Sequence, residues 1–323
     1  MKISVVMAVY NGSMYLLKQL ESINMQTKKI DEVIIVDDCS SDDSKKIVTS
    51  FIKEKHLDNW KLVENEVNLG YKKNFRKGLT LCTGDIIFFA DQDDIWHLDK
   101  IEKMSDIMKK NQILTLASSC NFINQDDEII DIEKRAGMSN NNLLPICVEK
   151  KLTKIDLEIV IMNNFAQGCT MAFDKSVKQS FLNNSIGLHP HDWEINLIGA
   201  INGSCYYLDE ALIDYRIHDN NTIGLSSILE QDIMNEKSKR LKNRIELTSE
   251  EKTITEFVLS FKELCYNDYL LMSRRLDYLN MRLDGMNNNK YFLLFKSYIL
   301  GKYSVFGTFK TFIGDLIVAI NKR

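Results

Sequence analysis

The first hundred residues alternate between two hydrophobic patterns. Ile3–Val9, Val33–Val36 and Ile86–Ala90 are short runs rich in β-branched and aromatic residues, with almost no polar interruption. Strands buried on both faces of a parallel sheet read this way, whereas a half-exposed strand alternates. Trp60-Lys61-Leu62-Val63 is a weaker run of the same kind. Between the runs the apolar spacing becomes helical. Leu16, Leu20 and Ile23 share one face of a helix that starts near Ser13. Ile47, Val48, Phe51 and Ile52 follow the capping sequence Ser40-Ser41-Asp42-Asp43, and Phe75, Leu79 and Cys82 form a third stripe ended by Thr83-Gly84-Asp85. The order βαβαβαβ predicts a doubly wound, mostly parallel α/β sheet with right-handed crossovers.

Beyond residue 100 the pattern is mixed. Asp99–Lys110 reads as an amphipathic helix and Leu114–Phe122 as a strand, while Asn124–Leu144 is polar, includes Ser139-Asn140-Asn141-Asn142, and reads as a loop. Residues 226–323 read as a helical extension without strand alternation. No run of about 18 apolar residues occurs, so no membrane span is expected. The opening run is too short for a secretory leader and is broken by Asn11-Gly12. Seven cysteines lie singly, without metal-pair spacing, which suits a reducing, cytoplasmic compartment. The net charge of −4 is uneven: residues 231–323 hold 16 Lys and Arg against 11 Asp and Glu, leaving an acidic body. An acidic body makes nucleic acid an unsuitable partner.

Ligands of such sheets bind at the carboxyl ends of the strands. Those ends carry Ala8-Val9-Tyr10-Asn11-Gly12, then Asp37-Asp38, then Asp91-Gln92-Asp93-Asp94. Like charges gathered at one edge raise each other's pKa, and a divalent cation removes the conflict. Oxygen ligands suit Mg²⁺ or Mn²⁺, which bridge carboxylates to a diphosphate. Asp42 and Asp43 read instead as turn and cap residues. A phospho-receiver domain would end its first strand with the acid pair and would be far shorter. A dinucleotide-binding fold would place GxGxxG after the first strand, and Tyr10–Tyr15 lacks it.

Ser4–Gly12, Gln26-Thr27 and Asp31–Asp42 resemble the start of family 2 glycosyltransferases with the GT-A fold. Asn68-Leu69-Gly70, Asn74-Phe75, Gly84-Asp85 and Asp91–Trp96 continue the likeness in order. Gln167–Thr170, His191-Asp192-Trp193, Tyr207–Glu210 and Tyr215–Asn221 are similar to the bacterial rhamnosyltransferase-type branch. The likeness covers about residues 1–225 and implies a nucleotide-binding half (1–100) and an acceptor-binding half (101–225). It implies that Ala8, Val9, Tyr10 and Asp38 meet the base, that Asp91 and Gln92 face the ribose side, and that Lys72 meets the donor. Asp93 and His218 would hold a divalent metal, Asp192 would be the catalytic base, and Gly168, Cys169, Thr170 and Trp193 would border the acceptor. The basic residue near the donor departs from the family's Arg-Asn at Lys73-Asn74. The QxxRW signature of processive synthases is absent, which favours transfer of one sugar.

The expected reaction is therefore inverting transfer from a nucleotide-diphosphate sugar, dTDP-rhamnose first, to a hydroxyl of a glycan or lipid-linked acceptor in surface polysaccharide synthesis. Asp192 also stands where a helix cap would, a role compatible with the catalytic one that its motif favours, and Trp96 and Trp193 suit sugar stacking or core packing. A nucleotidyltransferase shares the sheet, acids and metal but wants a glycine- and lysine-rich loop that Tyr10–Met14 lacks. A catalytically inactive sugar-nucleotide-binding protein is the other alternative; the set Asp38, Asp91, Asp93 and Asp192 argues against it. In residues 291–320, aromatic and aliphatic residues alternate with Lys296, Lys302 and Lys310, with Lys290 just before. A basic amphipathic segment suits either the inner face of the membrane or packing on the body or a second subunit.

Overall fold

The computed structural model describes residues 1–132, 148, 150–218 and 243–321. Part of the expected polar loop after Asn124, the Asp219–Asn221 end of the last motif, Cys147 and the start of the helical region lie outside them. The chain divides into two compact units, Met1–Gly224 and Leu225–Arg323.

In the first unit the order is β1 (Ile3–Val9), α1 (Leu16–Asn24), β2 (Glu32–Asp37), α2 (Ser44–Glu54), β3 (Trp60–Glu64), α3 (Tyr71–Leu81), β4 (Ile86–Ala90), β5 (Ile95–Trp96), α4 (Lys100–Asn111) and β6 (Thr115–Ile123). There follow β7 (Ile129–Ile130), β8 (Leu152–Lys154), α5 (Leu157–Val160), a 3-10 turn at Gly168–Thr170, β9 (Met171–Asp174), α6 (Lys175–Asn184), α7 (His191–Ile201) and β10 (Cys205–Arg216).

These strands form one sheet in the order β3-β2-β1-β4-β9-β6-β10-β5, with β7 on β6 and β8 on β10. β1 pairs in parallel with β2 and β4, and β2 with β3. The expected doubly wound sheet is therefore present. The uninterrupted apolar runs have their predicted cause: every residue of β4 is buried, as are Val5, Val6 and Met7 of β1. Close helix packing completes the core. A methyl added to Gly78 of α3 would meet Val6 Cγ1 at 2.3 Å, so only glycine lets α3 lie this near β1.

β9 runs antiparallel to both β4 and β6, while β10 returns parallel to β6. β10, which the apolar pattern did not announce, is the device that completes the site. Its carboxyl half pairs antiparallel with β5, Ile213 opposite Trp96 and Asp214 opposite Ile95. Running opposite ways from that pair, the chain before β5 and the chain after β10 lie side by side. This brings Asp93-Asp94 against Arg216 and His218.

The second unit holds α8 (Arg244–Leu259), α9 (Tyr266–Asn287), α10 (Tyr291–Ile299), α11 (Lys302–Phe306) and α12 (Phe309–Asn321). Tyr278, Leu279, Leu294, Tyr303, Phe312 and Ala319 make its core. Inside sits a fully buried carboxylate, Asp315. It accepts from Arg282 Nε at 2.7 Å, from Tyr303 Oη at 2.7 Å and from Arg244 at 3.1 Å. Burial alone would make such an ion unaffordable, and the bonds compensate. Among the described residues no helix is long and apolar enough to cross a membrane.

Removing the carboxylate would strand the Arg282 guanidinium in the core. Asp315→Ala should lower stability by about 3–5 kcal/mol, read from the urea midpoint of the full chain; a loss below about 1 kcal/mol would show the network to be dispensable.

Candidate active site

The parallel register lets the ends of β1, β2 and β4 leave the sheet together: Val9 lies opposite Asp37 and Met7 opposite Ala90. In the order 3-2-1-4, the chain turns away on opposite sides of the β1–β4 gap, the switch point where a cleft opens. Hydrogen bonds join the loops around it. The Gln92 side chain accepts from Tyr10 N at 2.8 Å and donates to Tyr10 O at 3.1 Å. Asn11 N donates to Ser40 Oγ and Gly12 N to Ser44 Oγ, both at 2.9 Å. Gly12 has no room for a side chain, since a Cβ would lie 2.3 Å from Gln92 Oε1. Asp42 accepts from Ser13 N and Ser44 N at 3.0 Å each, and these bonds hold its pKa down at about 2 despite partial burial.

The loop after β4 concentrates negative charge. Burial raises the Asp91 pKa, and Asp93 and then Asp192 push it further up. Asp94 is driven up by burial, then by Asp93 and Asp91. Two buried cations sit beneath. Arg216 donates from its backbone to Asp94 Oδ1 at 3.1 Å, from Nε to the Asp93 carbonyl at 2.7 Å and from a terminal nitrogen to Asn124 O at 2.8 Å. Its guanidinium also lies over the Tyr15 ring at 4.5 Å and pairs with Asp127. Lys100, equally buried, donates to the Cys169 carbonyl and stacks over Trp96 at 4.1 Å. Burial pulls its pKa down to about 8 while Cys169 and the acids oppose the fall.

Asp192 arrives from the other half of the sheet, in the first turn of α7. Its Oδ1 accepts from Trp193 N at 2.8 Å and Asn164 Nδ2 at 3.2 Å. Burial nevertheless dominates and lifts its pKa to about 6. Gly168 packs against the start of this helix: a Cβ there would lie a tight 3.2 Å from His191 Nε2 and an ordinary 3.7 Å from Asp192 Cβ. Next in the chain, the Cys169 thiol has its sulfur within 4.8 Å of ligand atoms of Asp91 and Asp94. Asp192, Gly168, Cys169 and Asp91 are thus one contiguous group. His191 stacks on Phe75 at 4.2 Å and meets Phe89 at 4.8 Å. Burial lowers its pKa to about 3, so it is a neutral packing residue.

The expected site residues fall as follows. Ala8, Val9 and Tyr10 line the end of β1, with Tyr10 exposed. Asp38 is buried, and both its oxygens are engaged: Asn65 Nδ2 and Leu69 N donate to Oδ1, and Gly70 N to Oδ2, at 2.7–2.8 Å. Its visible work is to hold the 65–70 loop, and a base would have to compete for the same oxygens. Lys72 Nζ lies 3.3 and 3.4 Å from the carbonyls of Gly187 and Leu188, tying α3 to the approach of α7. Gly168, Cys169 and Thr170 are all buried, so they support the site from behind and present no exposed side chain to an acceptor. Trp96 is core, with Phe88 and Lys100 against it. Trp193 donates to Val160 O at 2.5 Å and lies tilted against His189, ring centroids 3.8 Å apart. The cap position of α7 is Pro190, not Asp192, and that of α2 is Asp43, without a side-chain bond. The sequence reading missed Lys100 and Arg216 as counter-charges; Arg216 stood inside a quoted motif without a role.

A divalent cation fits one place here. Asp93 Oδ2 and His218 Nε2 converge at 2.9 Å, half-buried at the sheet edge, beside acids whose mutual repulsion a cation would relieve. The inner group Asp91, Asp94 and Cys169 fits less well. Burial holds the Cys169 thiol protonated, and Lys100 already supplies a cation.

Residues 4–144 match the sequence profile of "Glycosyl transferase family 2". An uncharacterised glycosyltransferase of Nostoc sp. is 26% identical over 287 residues, covering 86% of this chain and 81% of that one. The Escherichia coli UDP-Glc:alpha-D-GlcNAc-diphosphoundecaprenol beta-1,3-glucosyltransferase WfgD is 28% identical over 164 residues, 51% of this chain and 63% of its own. In structure, Staphylococcus aureus TarS 1–349, solved with UDP-GlcNAc, superposes with a TM-score of 0.57 at 17% identity, over 88% of this chain and 75% of that one. That likeness gives the fold, of GT-A type. The loops that gather Asp38, Asp91 and Asp93 thus lie within the segment that matches the family 2 glycosyltransferase profile, and the chain that carries them is a glycosyltransferase.

Proposed function

We propose that this enzyme transfers a single sugar, with inversion, from a nucleotide-diphosphate donor to a hydroxyl of a glycan or lipid-linked acceptor, using a divalent cation. One observation carries the reading: Asp192, from the far half of the sheet, abuts Gly168, whose neighbour Cys169 has its thiol within 4.8 Å of ligand atoms of Asp91 and Asp94 at the switch point. A carboxylate facing an acidic, metal-fit edge across a cleft suits a base that faces a donor.

The donor's base and ribose would lie along Ala8, Val9, Tyr10 and the Asp91-Gln92 edge. Asp192 would accept the acceptor's hydroxyl proton as that oxygen bonds to the anomeric carbon and the carbon–phosphate-oxygen bond breaks. The nucleotide diphosphate leaves with the bonding pair, and the proton remains on Asp192. A carboxyl lifted to about 6 is ionised at neutral pH yet basic enough to take a proton. Mn²⁺ or Mg²⁺ held by Asp93 and His218 would supply Lewis-acid stabilisation of the departing diphosphate. Attack from the face opposite the leaving group by a hydroxyl activated at one carboxylate favours inversion. Trp193, fixed by Val160 and His189, would border the acceptor.

The rhamnosyltransferase-like motifs make dTDP-rhamnose the first donor, with UDP-hexoses next. A lipid diphosphate is the acceptor that the name of the E. coli relative carries. This supports a cytoplasmic reaction that feeds surface polysaccharide assembly.

Asp192 works only as the carboxylate, so transfer should rise with pH through about 6 and then level. The raised pKa has the opposite sense for stability. Its favourable contribution is complete below the ordinary carboxylate range and is lost as pH climbs past 6. Asp192→Asn should therefore unfold later than the parent at pH 7.5, by on the order of 1–2 kcal/mol, with the difference gone below about pH 4. Transfer should fall about 10²–10⁴-fold with donor binding retained; normal turnover in this variant would remove Asp192 as the base.

Asp93→Ala should abolish the Mn²⁺-dependent part of nucleotide-diphosphate binding in calorimetric titration. Unaltered metal dependence would take Asp93 out of the ligand set. Across a thermal-shift panel of nucleotide sugars with Mn²⁺, dTDP-rhamnose should give the largest rise, and a larger rise with a UDP-hexose would replace it as donor.

A further inference from the structure

We infer that the outer face of α10 and α12 is a docking surface for an anionic phospholipid bilayer. The inference stands on the helical unit alone and does not require the reaction proposed above.

α12 has two apolar faces. Phe312, Asp315 and Ala319 point into the bundle and are buried. Phe309, Ile313, Ile317 and Ile320, spaced four, four and three apart, are exposed, Phe309 by 60%. A helix packed only on its own bundle would carry polar residues at those positions. α10 repeats the pattern: Leu294 and Ser297 are buried, while Phe292 and Ile299 are exposed, Ile299 by 80%. Phe295 meets Phe312 at 5.3 Å and Tyr298 meets Phe309 at 6.0 Å. Tyr298 and Phe309 are both exposed, and Phe295 reaches outward from its contact with the buried Phe312, so the outer faces of the two helices adjoin and their exposed residues form a patch rather than scattered singles.

Charge identifies the occupant. Between residues 288 and 321 the chain carries Lys290, Lys296, Lys302 and Lys310 and a single acid, Asp315. Asp315 is buried and held by Arg282, Arg244 and Tyr303. No carboxylate of this segment faces outward. Lys290 and Lys302 reach Asp284 and Asp277 on α9, while Lys296 and Lys310 stand exposed beside the aromatic strip. A second copy docking the same face would set lysine against lysine. A bilayer with acidic headgroups offers anions at the rim and hydrocarbon beneath the rings. α12 spans about 20 Å at 1.5 Å per residue, too short to cross, so it would lie in the plane of the interface.

The test is flotation of the full chain with phosphatidylcholine vesicles, with and without phosphatidylglycerol, in the absence of donor. The chain should float with the anionic vesicles at low salt, with about tenfold weaker partition onto phosphatidylcholine alone. The pair Ile299→Glu with Phe309→Glu, and separately Lys296→Glu with Lys310→Glu, should each weaken binding about tenfold or more. Both pairs should keep the parent's circular dichroism and nucleotide-diphosphate affinity. No flotation with anionic vesicles, or unchanged flotation of both correctly folded pairs, overturns the inference. So does a dimer in sedimentation that Ile299→Glu with Phe309→Glu dissolves, since the face then belongs to a second copy. Because lipid binding is read without substrate, its failure leaves the transfer reactions above untouched, and the reverse also holds.

Discussion

The structure depends on making one concentration of negative charge tolerable. Asp91, Asp93 and Asp94 leave β4 in four residues, and beyond burial Asp93 raises the free energy of ionising both Asp91 and Asp94. The body answers with two cations that have given up water entirely. Arg216 binds the loop through its backbone nitrogen and its guanidinium, and Lys100 sits under the same turn. Asp93 gives its carbonyl to Arg216 and its carboxylate to His218, at 2.9 Å. Asp94 is thus held from beneath, while Asp93 lies nearer the rim. That division follows from depth alone: an ion pair beneath the sheet edge is structural, and a carboxylate at the rim can exchange its partner.

Bringing the counter-charges there requires two features remote in sequence. The antiparallel β5–β10 pair fixes where Arg216 and His218 meet the acidic loop. Gly168 packs against the start of α7 beside the same loop. Lys72 adds a tie from α3 to the segment before α7, so the two sides of the cleft share hydrogen bonds as well as a sheet. The base candidate and the metal candidate therefore sit on elements whose positions are set by main-chain pairing, which holds geometry better than a free loop does.

The sheet's first half was legible because β1, β2 and β4 are buried on both faces and so show unbroken apolar runs. β10 was not. Its faces see different surroundings, and register shifts between Leu208 and Ala211 and between Ala211 and Asp214 break the period of two. The acids were legible because they follow strands directly. Lys100 and Arg216 were not, because a cation at a helix start or strand end ordinarily lies in water, and nothing local to the sequence reports what closes over it. The burial of Cys169 and Thr170 escaped notice for the same reason: a motif shows that residues belong together but not which of them face the solvent.

The late arrival of Arg216 also bears on how the chain acquires its shape. The acidic turn is complete more than a hundred residues before the strand that stabilises it. While the chain is being made, the turn beyond β4 lacks the Arg216 hydrogen bonds until β10 has been added. The ligand-binding edge consequently depends on a strand that follows it by more than a hundred residues. A fragment ending after α4 would lack β9 beside β4, Phe173 and His191 against Phe89, and Arg216 beneath the acidic turn.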